Sequence, residues 1–148
     1  MGITFDVIEG AFLSKITEFE LIQLPEENRT AIVDGYRTRA VAAFKKICKY
    51  DLSMCDELIR EYTADFAESD IDEIVEIISE GMVVQWMKPY AYQQENLQNA
   101  INTRDYQTYS PAELLTRIGN AYKKAQHDYT QMIREYSYVH GDLTELHL

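Results

Sequence analysis

Three histidines, His127, His140 and His147, are the side chains best suited to acid–base or metal chemistry near neutral pH. None of them belongs to an H-E-x-x-H motif or to the Glu-x-x-His pair of a helical di-iron site. Asp142 is close enough in sequence to orient His140 as a base, but no serine or cysteine nucleophile in a matching context accompanies this pair. The sequence therefore predicts a surface position for His127, no catalytic residue, and a protein that is not an enzyme.

The carboxylates and thiols offer equally little chemistry. Asp70 and Asp72 begin like a calcium-binding loop, but Ile74 replaces the third ligand and the required glycine is missing. The two aspartates fit better as acidic residues at the start of a helix. Cys48 and Cys55 match neither a C-x-x-C redox motif nor a zinc site, which predicts reduced, partly buried thiols. Because the sequence also lacks the glycine-rich phosphate-binding motifs, no metal site and no cofactor are predicted.

Charge is the more informative feature of this sequence. Its 148 residues include 14 Lys and Arg against 25 Asp and Glu, and the resulting net charge of -11 disfavours phosphate binding. The charge is also unevenly distributed, because residues 36–50 sum to +5 without any acid whereas residues 51–80 sum to -10. This split fits two solvated helix faces. It also fits complementary faces that meet between identical subunits and fix their register.

Apolar periodicity and the scarcity of proline and glycine predict an all-α fold, a helical bundle with one long C-terminal helix and an extended C-terminal tail. The third helix should end at Lys88, because a residue that precedes proline disfavours helix. Between Asp56 and Phe66 the pattern fits both helix and strand, and we favour an irregular or partly extended connection. The four helices that precede the long one are predicted near residues 7–16, 25–48, 69–88 and 93–102.

The clearest helix start is the capping box at residues 110–113, SPAE, with Ser at the cap, Pro at the first helical position and Glu at the third. Apolar residues then recur every three or four positions from Leu114 to Tyr136. This helix exceeds the average length of about 11–12 residues and should be the scaffold of the fold. Because the pattern breaks after Ser137, we expect a helical domain over residues 1–137 and a docking tail over residues 138–148.

Tyrosines and leucines near the C-terminus suggest an interaction role. Eight of the 11 tyrosines lie between Tyr90 and Tyr138, several of them in predicted connecting segments. Tyrosine is enriched at protein interfaces because it joins a large apolar ring to a polar tip. Leucines of the tail are explained either by docking to a partner or by packing on the chain's own domain.

Several short stretches of this chain resemble the small neck proteins of tailed bacteriophages, the head–tail connector or adaptor proteins. They are residues 80–89, EGMVVQWMKP, the DY of residues 105–106 ahead of YSP at 109–111, and YSY at 136–138 ahead of HGDL at 140–143. The resemblance covers nearly the whole layout of helices, and its motifs cover about a quarter of the chain. It implies a virion structural protein, made in the host bacterial cytoplasm and located in the neck of the virion.

Such a protein forms a ring, usually dodecameric, between the portal and the tail, where it extends the DNA channel and seals the packaged genome. Its partners would be further copies of itself, the portal protein and a downstream tail or neck protein, with no membrane. Double-stranded DNA would pass through the channel without specific binding, because a negative wall repels phosphates. The resemblance suggests five candidates for portal docking, namely Tyr138, His140, Leu143, Leu146 and Leu148.

The charge split and the aromatic residues provide candidates for the contact between subunits. The basic ones are Arg37, Arg39, Lys45, Lys46 and Lys49, the acidic ones are Asp56, Glu57, Glu61 and Asp65, and the aromatic ones are Trp86, Tyr90 and Tyr92. Two other functions compete with the ring. A regulatory helical module would bind a host or viral protein through the tyrosine-rich loops, and a nucleic-acid binder would use the basic patch at residues 37–49.

Overall fold

A computed structural model describes residues 1–16, 28–91 and 111–140 of the chain. Over these residues it contains the helices α1 (Phe5–Ile16), α2 (Arg29–Phe44), α3 (Glu68–Ala91) and α4 (Pro111–His140). Three two-residue strands, β1 (Ile3–Thr4), β2 (Cys55–Asp56) and β3 (Glu61–Tyr62), form a small antiparallel sheet in the order β1-β3-β2. The predicted helical bundle with a long C-terminal helix is therefore confirmed. The predicted polar helix near residues 93–102 lies outside the described residues.

Helix α3 is central to the bundle, because it contacts α1, α2 and α4. Its inner face is apolar at three- and four-residue spacing, and Ile74, Ile78, Met82 and Trp86 are almost completely buried. Since the other helices cover α3 from several sides, it is the scaffold of the described fold. The expectation that the longest helix has this role was wrong.

Both ends of α3 differ from the prediction. The helix starts at Glu68, ahead of the expected caps Ser69 and Asp70, and it continues through Pro89 to Ala91 instead of ending at Lys88. A proline in the last turn removes only one backbone hydrogen bond, and packing of Trp86, Met87 and Ala91 in the core favours the helical path.

Helix α1 confirms part of the buried face that its apolar spacing predicts, because Phe12 and Ile16 are buried, but Val7 is not. Phe5, Ile8 and Phe12 are at most 3% exposed, whereas Val7, which was expected to face the core, is 53% exposed. Strand β1 explains the difference. It joins the sheet at Ile3 and delivers the next buried residue, Phe5, to the core.

The long seam of α4 is confirmed, with Leu114, Ile118, Tyr122, Ala125 and Tyr136 buried against the rest of the bundle. The helix begins at the predicted proline but continues beyond the expected end at Ser137 to His140. The first three residues of the predicted tail are therefore helical, and residues 141–148 lie outside the described part of the chain.

Close approach of α4 to α3 requires a glycine. A Cβ at Gly81 would lie 2.9 Å from Cε2 of Tyr129 on α4 and 3.2 Å from Cβ of Ala40 on α2. Three helices therefore meet around Gly81, where a side chain would push the aromatic ring and its helix outward.

The ambiguous segment between Asp56 and Phe66 is irregular and partly extended, as expected. Tyr62 pairs with Ile3 on one side and with Cys55 on the other. Tyr62, Ala64 and Phe66 are buried while the residues between them are exposed, which is the two-residue period of an extended chain.

Candidate functional site

Two clusters of charged and polar side chains stand out among the described residues, one at the sheet and one where α3 begins and α4 ends. The first, here called the arginine network, consists of Glu9 on α1, Asp34 and Arg37 on α2, and Arg60 before β3. Arg60 donates two hydrogen bonds to Asp34, at 2.8 and 3.0 Å, and a third to Glu9 at 3.3 Å. Arg37 donates to Glu9 at 3.1 Å and to the hydroxyl of Tyr62 at 2.5 Å.

The arginine network is largely closed to solvent. Glu9 and Arg37 are 7% and 8% exposed, and the guanidinium carbon of Arg37 lies 3.6 Å from the ring centroid of Phe5. Arg60 has a φ of 54°, in the left-handed region, and its carbonyl accepts a hydrogen bond from the Phe5 N–H at 2.8 Å. Its two-sided hydrogen bonding to Asp34 and Glu9 offsets the strain of this backbone conformation.

Folding shifts the pKa values of the two carboxyls of the arginine network in opposite directions. Burial, together with the neighbouring Asp34, raises the pKa of Glu9 to about 7. Hydrogen bonds from Arg60 lower the pKa of Asp34 to about 2. One carboxyl therefore stays ionised between the guanidinium groups while the other gains a proton near neutrality, as expected for close carboxyls that share a site.

The turn between β2 and β3, which contains Arg60 of the network, also carries two exposed apolar residues, Leu58 and Ile59, here called the hairpin tip. They are 96% and 60% exposed. The tip is nevertheless well ordered by hydrogen bonds, because Oδ1 of Asp56 accepts from the N–H of Leu58 at 2.9 Å and from that of Ile59 at 3.4 Å. Arg60 anchors its other end in the arginine network. The fold thus presents two large apolar side chains to solvent on a fixed turn.

The second cluster, here called the junction, consists of Lys49, Tyr50, Asp70, Glu73, Tyr136 and His140. Tyr136 is almost completely buried, and its hydroxyl accepts a hydrogen bond from the Lys49 N–H at 3.0 Å. The Tyr50 hydroxyl donates to Oδ2 of Asp70 at 2.5 Å and accepts from the Ala67 N–H at 3.1 Å. These bonds join the chain after α2 to the start of α3 and the end of α4.

His140 completes the junction. Its Nε2 lies 3.1 Å from Oε2 of Glu73, and its ring centroid lies 4.6 Å from that of Tyr136. Ligand atoms of Asp70, Glu73 and His140 all lie within 4.8 Å of one another. The Tyr50 hydrogen bond lowers the pKa of Asp70, which keeps this carboxylate ionised.

The sequence predicted a helix-start carboxylate at Asp70 and a portal-docking residue at His140, and it did not point to Glu73. Asp70 and Glu73 are three residues apart on a helix, a spacing that puts both on one face and could have been noticed. No sequence pattern connects them to His140, because 67 residues separate it from Glu73.

Comparison of the chain with family models, with curated proteins and with solved structures finds no match. The functional interpretation therefore rests on the residues of this chain and their geometry. Over the described ranges, no helix combines the length and the apolar character that crossing a bilayer needs.

Two of the predicted subunit-interface residues are buried inside the subunit. Arg37 is 8% exposed within the arginine network, and Trp86 is 1% exposed in the core. Neither side chain can reach a neighbouring copy in this fold, so their assignment to a surface was wrong. The physical reason is that a large ring gains free energy by leaving water, while a buried guanidinium is tolerated because Glu9 and the Tyr62 hydroxyl accept its hydrogen bonds.

The other interface candidates lie at or near the surface. Lys49 pairs with Asp70 of its own chain at 3.5 Å, and Asp65 accepts a hydrogen bond from the N-terminal ammonium at 2.8 Å. The Lys49–Asp70 ion pair thus joins the basic segment to the acidic segment within one subunit. Tyr92 lies outside the described residues. The exposed candidates are Arg39, Lys45, Lys46, Lys49, Glu57 and Asp65, and the half-buried ones are Asp56, Glu61 and Tyr90.

The portal-docking candidates divide in a similar way. Tyr138 is 77% exposed at the end of α4, and its neighbour Val139 is 69% exposed. His140 is half-buried and held by Glu73. Leu143, Leu146 and Leu148 lie outside the described residues.

His127 is exposed on α4, as predicted. Both cysteines are free thiols. Cys48 is half-buried beside the Tyr136 hydroxyl and Cys55 is exposed on β2, so the expectation of partial burial is confirmed for Cys48 and was wrong for Cys55.

Proposed function

We propose that this chain is a virion structural protein of the phage neck, which assembles as a ring between portal and tail, extends the DNA channel and seals the packaged genome. The hairpin tip is the observation that carries the self-assembly. Leu58 and Ile59 expose large apolar surface on a turn that Asp56 and Arg60 hold in place. Such a rigid apolar projection is costly in water and is typical of a surface that a partner covers.

A groove on the same chain has the chemistry to receive an apolar projection. It lies between α1, α3 and α4, has a volume of about 470 Å³, and includes Val83, Ala121 and Ala125 in its lining. Charged side chains also line the groove, namely Lys15, Glu80, Lys124 and Asp128, and Lys15 pairs with Glu80 at 3.0 Å. Because the groove and the hairpin tip are different surfaces, a contact between them is head-to-tail and can close into a ring.

The end of α4 is the proposed portal-docking surface. Tyr138 and Val139 are adjacent, exposed and apolar over most of their area, and they precede the leucine-rich residues 141–148. Aromatic residues at a helix end are effective anchors for a protein partner because they bury much area with few rotatable bonds.

The surplus of negative charge fits passage of DNA without binding. Acidic residues on a channel wall neutralise no phosphates, release no counterions and so contribute no affinity for DNA. The neck location, the portal, the DNA channel, the dodecameric number and the downstream tail partner come from the resemblance alone, and the geometry of the chain supports only the exposed contact surfaces.

Two pairs of substitutions separate the proposed surfaces. Leu58→Ser with Ile59→Ser should prevent ring formation, and Tyr138→Ser with Val139→Ser should leave the ring intact but weaken its binding to the cognate portal. Native mass spectrometry and negative-stain images of each purified variant, alone and with portal, measure both effects. Since all four side chains are exposed, unfolding temperatures should stay close to that of the unmodified chain.

The unmodified chain should form a symmetric ring, at least when the portal is present. A chain that stays monomeric at every concentration, with portal included, contradicts the proposed function. A ring that survives loss of the hairpin tip contradicts the assigned subunit contact and leaves the neck function standing.

A regulatory helical module is the second candidate, and the exposure of Tyr138 is the observation that favours it. This function predicts a small complex of fixed stoichiometry with a host or viral protein. Mass measurement of complexes captured from infected cells distinguishes it from a ring, because only a ring contains many copies of the chain.

A further inference from the structure

We propose that the junction binds a divalent transition-metal ion, with Asp70, Glu73 and His140 as ligands and Zn²⁺ as the best-matched ion. This site is independent of the ring and of the phage neck. The three residues offer two carboxylate oxygens and one imidazole nitrogen, all within 4.8 Å of one another. One nitrogen and two oxygens are a donor set that suits zinc and neighbouring transition metals, with water in the remaining position.

The imidazole of His140, which comes from a different helix, distinguishes this cluster from the acidic residues that are common at the start of a helix. Asp70 and Glu73 come from the first turns of α3, whereas His140 is the last residue of α4. Its Nε2 faces Oε2 of Glu73 at 3.1 Å, close to the separation of about 3.4 Å between two ligand atoms of a tetrahedral zinc site.

A second layer of contacts holds two of the ligands in place. Tyr136 packs against His140 with ring centroids 4.6 Å apart and the ring planes tilted by 38°, and its own hydroxyl is fixed by the Lys49 N–H. Tyr50 donates to Oδ2 of Asp70 and so fixes the orientation of this carboxylate. Partners of this kind orient metal ligands and raise their affinity for the ion.

The electrostatics of the junction also favour a cation. Two carboxylates face one ammonium, since Lys49 lies 3.5 Å from Asp70 and is half-exposed, so it can swing into solvent when the ion binds. The C-terminal end of α4 adds the partial negative charge of its last carbonyl groups, which offsets the positive end of α3. A bound ion would then join the start of α3 to the end of α4.

Isothermal titration calorimetry and thermal unfolding of the full chain with Zn²⁺ alone test this site. We expect saturable binding of one ion and a rise in the unfolding temperature with Zn²⁺ concentration. His140→Ala and Glu73→Gln should each weaken binding by about 100-fold, and Tyr50→Phe by about 10-fold. Mg²⁺, which prefers oxygen ligands and retains its water, should not raise the unfolding temperature.

Matched controls exclude other zinc ligands. His127→Ala removes an exposed histidine from the same helix, and Asp72→Asn removes an exposed carboxylate from the same turn, and neither should change the binding. A chain with Cys48→Ser and Cys55→Ser should also bind as before. The proposal is overturned if the unmodified chain shows no saturable binding, if His127→Ala weakens binding as much as His140→Ala, or if the cysteine variant loses it. Because Glu73→Gln is nearly isosteric, normal circular dichroism with unchanged affinity would overturn it as well.

Discussion

The arginine network and the junction are both built from charged and polar side chains that bridge separate parts of the chain, but they differ in how their charges are matched. In the arginine network Glu9 and Arg37 are buried, and the guanidinium groups are matched by carboxylates of the same cluster. In the junction, the side chains of Asp70 and His140 are 13% and 17% exposed and that of Glu73 is 40% exposed, and the two carboxylates face the single ammonium of Lys49. The first region is electrostatically closed, and the second can still accept an ion.

The difference between the two regions shows that the net charge of a segment does not predict which of its charged residues are buried and which lie at the surface. Arg37 and Lys49 belong to the same basic segment, yet one is sealed in the core and the other lies at the surface beside Asp70. Removing one partner of a buried ion pair lowers the free energy of unfolding strongly, because the remaining charge cannot be rehydrated inside the protein. Substitutions at the two regions should therefore differ in size.

The largest effect should come from removing a guanidinium from the arginine network. Arg37→Met leaves the Tyr62 hydroxyl without its donor and the buried Glu9 with only the Arg60 hydrogen bond at 3.3 Å, and we expect a loss of about 3 kcal/mol in the free energy of unfolding. Arg39→Met, an exposed change two residues along the same helix, should cost no more than about 0.5 kcal/mol. Urea denaturation of both variants measures the difference, and equal losses would show that the network is not closed.

The pH dependence of stability tests the same region. Because the pKa of Glu9 rises from 4.5 to about 7 on folding, its protonated form stabilises the fold below pH 4.5, and that contribution is lost as pH rises toward 7. The pKa of Asp34 falls from 3.8 to about 2, so its contribution is present above pH 3.8 and is lost as pH falls toward 2.

Stability should therefore decline between pH 4.5 and 7, by no more than about 1.4 kcal/mol per pH unit. Glu9→Gln mimics the protonated side chain and should flatten this decline, whereas Glu57→Gln, an exposed change, should leave it unaltered. Urea denaturation at a series of pH values provides the measurement. An unchanged slope in Glu9→Gln would assign the pH dependence to other groups.

A smaller loss is expected from the buried hydroxyl of the junction. Tyr136→Phe leaves the Lys49 N–H without its acceptor, which should reduce the free energy of unfolding by about 1–3 kcal/mol. Tyr138→Phe removes the same atom from an exposed ring two residues away and serves as the control. Thermal and urea unfolding of the pair report whether the junction has a buried component, and equal values would argue against one.

The smallest effect should come from the exposed ion pair of the junction. Lys49→Met removes an ammonium that is half-exposed and 3.5 Å from Asp70, and it should change the free energy of unfolding by less than about 0.5 kcal/mol. Added salt should alter this difference little. A loss as large as that of Arg37→Met would erase the contrast between the two regions.

Sequence periodicity predicted the parts of the fold that depend on one helix alone. The apolar seam from Leu114 to Tyr136 and the inner face of α3 recur at helical spacing, and a face of this kind must be buried whichever element covers it. The extended character of residues 56–66 was also within reach, because Tyr62, Ala64 and Phe66 alternate with polar residues.

Predictions failed where a neighbouring element decided the outcome. Val7 of α1 is exposed and Phe5 is buried because β1 joins the sheet at Ile3, and α3 passes through Pro89 because the core holds its last turn. Neither cause is visible within the segment concerned. Trp86 and Tyr138 look alike as aromatic residues in sequence, and only packing separates the core ring from the exposed one.

The sequence by itself determined the helical bundle, the long last helix and the uneven distribution of charge, since these follow from local spacing and composition. Tertiary structure alone decided which charges are sealed in the arginine network, which apolar residues project at the hairpin tip, and that Asp70, Glu73 and His140 meet. The physical reason is that burial and the convergence of ligands depend on residues far apart in the chain, which folding brings to one place.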